Sequence, residues 1–149
     1  MDGNGCGDML ARTPAGTPYR VPSGEFSEFS KHNRVKVGGG WSMYNRMVAV
    51  RGISGDGRND LVARDGSGVL WLYRGNGKGG FEVRTRVGSG WGQCDAVVAS
   101  GDLDQDGRQD MVARTPAGAL YVYNANHNGG FSARKQLAET RLKNFTKLS

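Results

Sequence analysis

Residues 102–110 read Asp-Leu-Asp-Gln-Asp-Gly-Arg-Gln-Asp. Carboxylates at alternate positions of a turning segment can converge on one hard cation. Calcium takes about six to eight oxygen ligands at roughly 2.3–2.6 Å. Asp102, Asp104, Asp106 and Asp110 offer four acidic side chains, the backbone carbonyl of Arg108 offers a fifth oxygen donor, and Gly107 permits the bend. The competing reading is a solvated acidic turn. It leaves several like charges crowded without compensation, so calcium is the preferred expectation.

The same loop is written twice more in weaker form. Asp2, Asn4, Gly5 and Asp8 make a partial site that lacks its first ligand position. Gly52, Ser54, Asp56, Gly57 and Asp60 have lost two carboxylates, and a calcium-free turn is expected there. The opening of the third loop matches an EF-hand loop, but Asp110 stands at the ninth position in place of a distant Glu, and strands rather than helices flank it.

The elements that position these loops repeat as well. GDMLART at 7–13, NDLVARD at 59–65 and QDMVART at 109–115 are one segment in three copies. Asp8, Asp60 and Asp110 set intervals of 52 and 50 residues. Arg12, Arg64 and Arg114 follow the same ruler, as do Gly16, Gly68 and Gly118, then Tyr19, Trp71 and Tyr121, then Phe29, Phe81 and Phe131. Trp41 and Trp91 recur in VGGGW and VGSGW, and Arg141 stands where a third Trp would fall.

Each full repeat reads as four strands. The first is the apolar run 47–50 or 96–99, the second 61–64 or 111–114, the third 69–73 or 119–123. The fourth, 81–87, alternates Phe81, Val83, Thr85 and Val87 with Glu82, Arg84 and Arg86. Continuous apolar runs suit strands buried on both faces, and alternation suits a strand with one face in water. Burial should therefore fall from the first strand to the fourth, as in a propeller blade running from axis to rim. The expected organisation is repeat one at 1–46, repeat two at 47–95, repeat three at 96–138 and a basic tail or closing strand at 139–149. Repeat one is expected to lack its inner strand. About three blades are too few for closure, which takes roughly four to eight. Two copies closing a six-bladed ring, with residues 142–148 as the missing strand, or further sequence beyond this chain, would complete it. A β-trefoil is the alternative all-β fold.

Composition agrees. Of 149 residues, 25 are glycine, 4 are proline and 13 are aromatic. Glycine in helix interiors costs about 1 kcal/mol each, which disfavours a helical protein. The net charge of +6 is concentrated in the C-terminal region, where Arg134, Lys135, Arg141, Lys143 and Lys147 face Glu139 alone. That is read as a basic tail, not a nucleic-acid interface. No apolar run is long enough for membrane insertion, and the first residues lack the features of a signal peptide. Cys6 and Cys94 make neither a disulfide scaffold nor a metal motif.

No catalytic residues are expected. His32 and His127 do not recur between repeats, and residues 75–80 match G-x-G-x-x-G but lead into a strand. Trp41 and Trp91, flanked by glycines, are the candidate ligand-binding rings, because sugars stack on accessible aromatics. For Tyr19, Trp71 and Tyr121 packing between blades is the preferred reading.

The acidic loop, the D-[LM]-[LV]-AR strand, the L-[WY]-x-Y strand of repeat two with its counterpart in repeat three, and the GGF turn together resemble the FG-GAP/VCBS repeat family, over almost the whole chain up to residue 138. The resemblance implies β-propeller blades with calcium in their loops, an extracellular location, and binding of a glycan or a protein. It also admits an accessory module of a secreted hydrolase or a structural subunit of a larger assembly. Calcium ligation carries over to Asp102, Asp104, Asp106 and Asp110, and in part to Asp2, Asn4 and Asp8.

Overall fold

The computed structural model of the chain describes residues 9–21, 34–126 and 128–137. Among these the protein is all-β, in three antiparallel sheets. The first has three strands, β1 (Met9–Arg12), β2 (Pro18–Val21) and β3 (Val35–Lys36). The second has four, β4 (Tyr44–Arg51), β5 (Asn59–Asp65), β6 (Leu70–Tyr73) and β7 (Thr85–Gly88). The third repeats that plan with β8 (Ala96–Gly101), β9 (Asp110–Arg114), β10 (Leu120–Tyr123) and β11 (Lys135–Gln136). Strands pair in chain order within each sheet, and no described strand is shared between sheets. These are separate meanders of the blade type, not the common barrel of a trefoil. No described helix is long and apolar enough to cross a membrane.

Successive sheets pack face to face. Along β5, Leu61 and Ala63 point to one side and Val62 to the other, as the two-residue period of a strand requires. Val62, Leu70 and Leu72 meet Trp91, Val97, Met111 and Tyr123 of the third sheet. Leu61 and Ala63 join Trp41, Tyr44, Trp71 and Tyr73, with Leu10 of the first sheet packed against them. Burying each large apolar side chain contributes about 1.5–3 kcal/mol.

Two expectations about burial need correction. The second strand, not the first, is the most buried: Asp60 through Asp65 are all buried, whereas in β4 only Tyr44 and Val50 are. The reason is position, since β5 pairs on both sides while β4 is a sheet edge. The fourth strand is also shorter than the alternation implies. Phe81 makes an isolated bridge to Gly75, and regular pairing resumes only at Thr85. Val83, expected on the inward face, is 91% exposed. The chain leaves the ladder there, and Arg84 turns back over Trp71.

The turns explain the recurring small residues. An added Cβ on Gly68, at φ +78°, would sit 2.6 Å from the backbone nitrogen of Gly92 in the next sheet. One on Gly16 would sit 2.8 Å from Ser42 Cα. The column is therefore a contact between sheets as well as a turn. Phe29, His32, His127, Cys6, Arg141 and the 139–149 segment lie outside the described residues. Cys94 is a buried free thiol, and burial pushes its pKa up.

Candidate metal centre

The third acidic loop spans the connection from β8 to β9. Gly107 lies at φ +86°, and Gln105, a non-glycine, at φ +64°. This left-handed backbone turns the chain so that alternate side chains converge. Oxygens of Asp102, Asp104 and Asp106 lie within 4.8 Å of one another, and all three residues are exposed. Among the described residues this is the only such group of acidic, histidine or cysteine side chains.

Backbone amides fix the carboxylates. Asp106 N–H donates to Asp102 Oδ1 at 3.0 Å, and Gly107 N–H donates to Asp102 Oδ2 at 2.8 Å. Arg108 N–H donates to Asp106 Oδ1 at 2.9 Å, and its guanidinium pairs with Asp106 Oδ2 at 3.1 Å. Asn124 of the neighbouring turn donates through its amide to Asp104. An open cleft of about 370 Å³ runs from this loop to its counterpart in the second sheet, with Arg51, Gly57, Asp102 and Arg108 among its walls.

Asp110 sits apart from the three. It is fully buried, and both its oxygens accept backbone hydrogen bonds, from Leu103 N–H at 2.7 Å and Ala125 N–H at 2.9 Å. Asp60 does the same in the second sheet, accepting from Ser54 N–H and Gly75 N–H at 2.9 Å each. The ninth-position aspartate thus ties the acidic loop to the turn that follows the third strand. Burial raises the pKa of Asp60, against the lowering effect of the two amides. In the second loop Asp56 accepts from Arg58 N–H and lies near its guanidinium. Asp2, Asn4 and Asp8 lie outside the described residues.

The donor set fits calcium. It is all oxygen, carries three negative charges in one exposed loop, and is pre-arranged by the backbone. Asp102, Asp104 and Asp106 would hold the ion through their side chains, with Arg108 contributing its carbonyl. The ion would supply charge neutralisation and hold the connection between β8 and β9.

The tryptophans are placed differently from expectation. Trp41 is 6% and Trp91 7% exposed. Trp41 stacks on Tyr73 at 4.4 Å between ring centroids, and Trp91 lies on Tyr123 at 4.2 Å. Phe81 and Phe131 complete the two clusters. Their rings are core rather than open sugar platforms. The preceding glycines, Gly40 at φ +77° and Gly90 at φ +85°, serve the 3-10 turns that bury the rings.

Two arginine columns carry roles that sequence reasoning missed. Arg12 donates to the Tyr44 carbonyl of the next sheet, and Arg64 donates to the carbonyls of Trp91 and Cys94 in the next. Tyr44 and Cys94 occupy equivalent places, so one staple is used at both junctions. Arg114, in the same column, pairs with Asp95 at 2.8 Å. The second column lies just before the last strand of each sheet. Arg34 lies over the Tyr19 ring at 4.5 Å, Arg84 over Trp71 at 4.1 Å and Arg134 over Tyr121 at 4.3 Å. The 50-residue interval was visible in the sequence; the stacking was not.

Residues 53–113 match the family model described as FG-GAP-like repeat. The matched segment runs from the second acidic loop through the third to β9 and is similar to that family's repeat. No curated protein matches the chain.

Proposed function

We propose that this FG-GAP-repeat chain is a calcium-binding, β-propeller-type recognition module that works without catalysis, outside the cell, on a glycan or a protein. The observation that carries the metal reading is the convergence of Asp102, Asp104 and Asp106 within 4.8 Å in an exposed loop, inside the segment that matches the family. Calcium, extracellular location and recognition of glycans or proteins are common properties of such repeats. The burial of Trp41 and Trp91 removes them as contact rings, so recognition falls to other surfaces.

Calcium should raise the thermal midpoint, chelator should reverse the rise, and Asp104→Ala should abolish it. A melting curve indifferent to calcium and chelator would overturn the metal reading. Closure of a propeller is proposed through a second copy or through further repeats, and native mass in solution decides between these.

One feature supports the alternative of a structural subunit in a larger assembly. Arg114 and Gly118 stand on the third sheet at the columns by which the first and second sheets grip their successors. A stable complex with other chains and no glycan binding would establish that alternative.

A further inference from the structure

The arginine-on-aromatic column points to a ligand of a particular chemistry. Arg34, Arg84 and Arg134 each precede the outermost strand of their sheet, and each guanidinium lies 4.1–4.5 Å from the centroid of an aromatic ring on the strand before. The ion pairs between described residues are Arg58–Asp56, Arg108–Asp106 and Arg114–Asp95, and none involves these three arginines. Arg34 and Arg134 are exposed and Arg84 is half-buried. Exposed Lys36, Arg86 and Lys135 lie beside them. Glu82 is the single carboxylate within 34–37, 81–88 and 131–137.

Stacking orients a guanidinium before any ligand arrives. Its planar fork matches a carboxylate or sulfate in a two-point contact, and it stays charged at every working pH. Arg84 spends one donor on the Tyr44 hydroxyl, and a guanidinium has five. One such platform binds weakly. Three at a fixed interval suit a polymer that presents an anion on successive units, since linked weak contacts multiply. The rings lie beneath arginine, so they are not open to the nucleobases that single-strand binders stack.

We propose that the outer strands form a binding surface for an acidic polysaccharide, a chain bearing carboxylate or sulfate groups, with Arg34, Arg84 and Arg134 as its anion contacts. This deepens the recognition reading above and rests on it for the class of ligand.

The test titrates the protein with polygalacturonate, sulfated dextran, neutral dextran and duplex DNA, in calcium and in chelator. Binding of an acidic polysaccharide that weakens as salt rises is expected, with neutral dextran inert. The triple variant R34Q/R84Q/R134Q should lose about ten-fold or more in affinity. The charge-matched control R46Q/R58Q/K78Q should lose less than about two-fold by the same argument. R34K/R84K/R134K, which keeps charge without the planar fork, should fall between them. If the triple variant fails to fold, the exposed pair R34Q/R134Q supplies the same comparison. Equal losses in the control, equal binding of neutral dextran, tighter binding of DNA, or no binding of either acidic polymer would each overturn the proposal. Polymer binding that persists while calcium leaves the melting curve unchanged would strike the metal reading alone.

Discussion

At the residue scale the carboxylates divide into two kinds. Asp102, Asp104 and Asp106 are exposed and mutually close, whereas Asp60 and Asp110 are buried, each of their oxygens accepting a backbone N–H. The difference predicts opposite mutational outcomes. Asp104→Ala should remove the response to calcium with little change in chelator. Asp110→Ala should leave two buried N–H groups without an acceptor and cost about 2–4 kcal/mol in chelator as well. Denaturant midpoints in chelator separate the two. The spacing D-x-D-x-D-G-x-x-D made all four acids visible in the sequence but not this division, because the partner of Asp110 on the far side, Ala125, lies fifteen residues away and offers only backbone.

Two other aspartates give stability a pH dependence. Asp65 is held below its ordinary value of 3.8, first by the Trp71 indole N–H and then by backbone and Ser67 donors. Arg114 lowers Asp95 in the same direction. For both, the unfolded chain binds the proton more readily than the folded one, so stability rises with pH across that window. Their contribution is complete above about pH 4 and is lost as pH falls through the folded values. Asp60 runs the other way, since its raised pKa favours the folded state at low pH and that contribution fades as pH rises. Asp65→Asn should shallow the acid limb, a change read from melting midpoints between pH 2 and pH 6, roughly the carboxylate range.

At the scale of elements, the junction between sheets is the unit that repeats. Arg64 reaches two carbonyls of the 3-10 turn in the third sheet, and Gly68 O accepts from Trp91 N–H at 3.0 Å. Arg64→Ala should cost about 3 kcal/mol, because it strips charged hydrogen bonds from buried carbonyls. Gly68→Ala should cost about 2 kcal/mol or more, since it combines left-handed strain with backbone overlap. Equilibrium unfolding of each variant measures both. Strand boundaries were largely legible in the sequence, because β-rich runs were bounded by Asp-Gly and Gly-Gly turns. Strand four was not. Its alternation of Phe81, Val83, Thr85 and Val87 fits a paired strand, yet the chain departs from the ladder where Arg84 finds Trp71. The burial of Trp41 and Trp91 was illegible in the sequence for a similar reason. Glycines beside an aromatic can open it to solvent or can form the turn that buries it, and only the neighbouring Tyr73 and Tyr123 decide between these.

At the scale of the molecule, three sheets joined by like junctions form a short array, whose stability combines each unit's own terms with those of the interface to its neighbour. Arg12, Arg64 and Arg114 recur at intervals of 52 and 50 residues, and Arg12 and Arg64 each reach a described next sheet. If a second copy packs on the third sheet, the thermal midpoint should rise with protein concentration. A midpoint independent of concentration over a hundred-fold range would exclude self-association, the range being about what a 2.7 kcal/mol linkage requires.

The packing of the two tryptophans also gives the molecule a built-in optical readout. Trp41 sits in the cluster shared with Leu10, and Trp91 in the one shared with Leu70 and Leu72. Each indole therefore marks a different seam. With Trp71 and one of the two replaced by phenylalanine, the emission of the remaining indole should shift to the red when its own seam parts. The order in which neighbouring blades separate becomes a matter of colour.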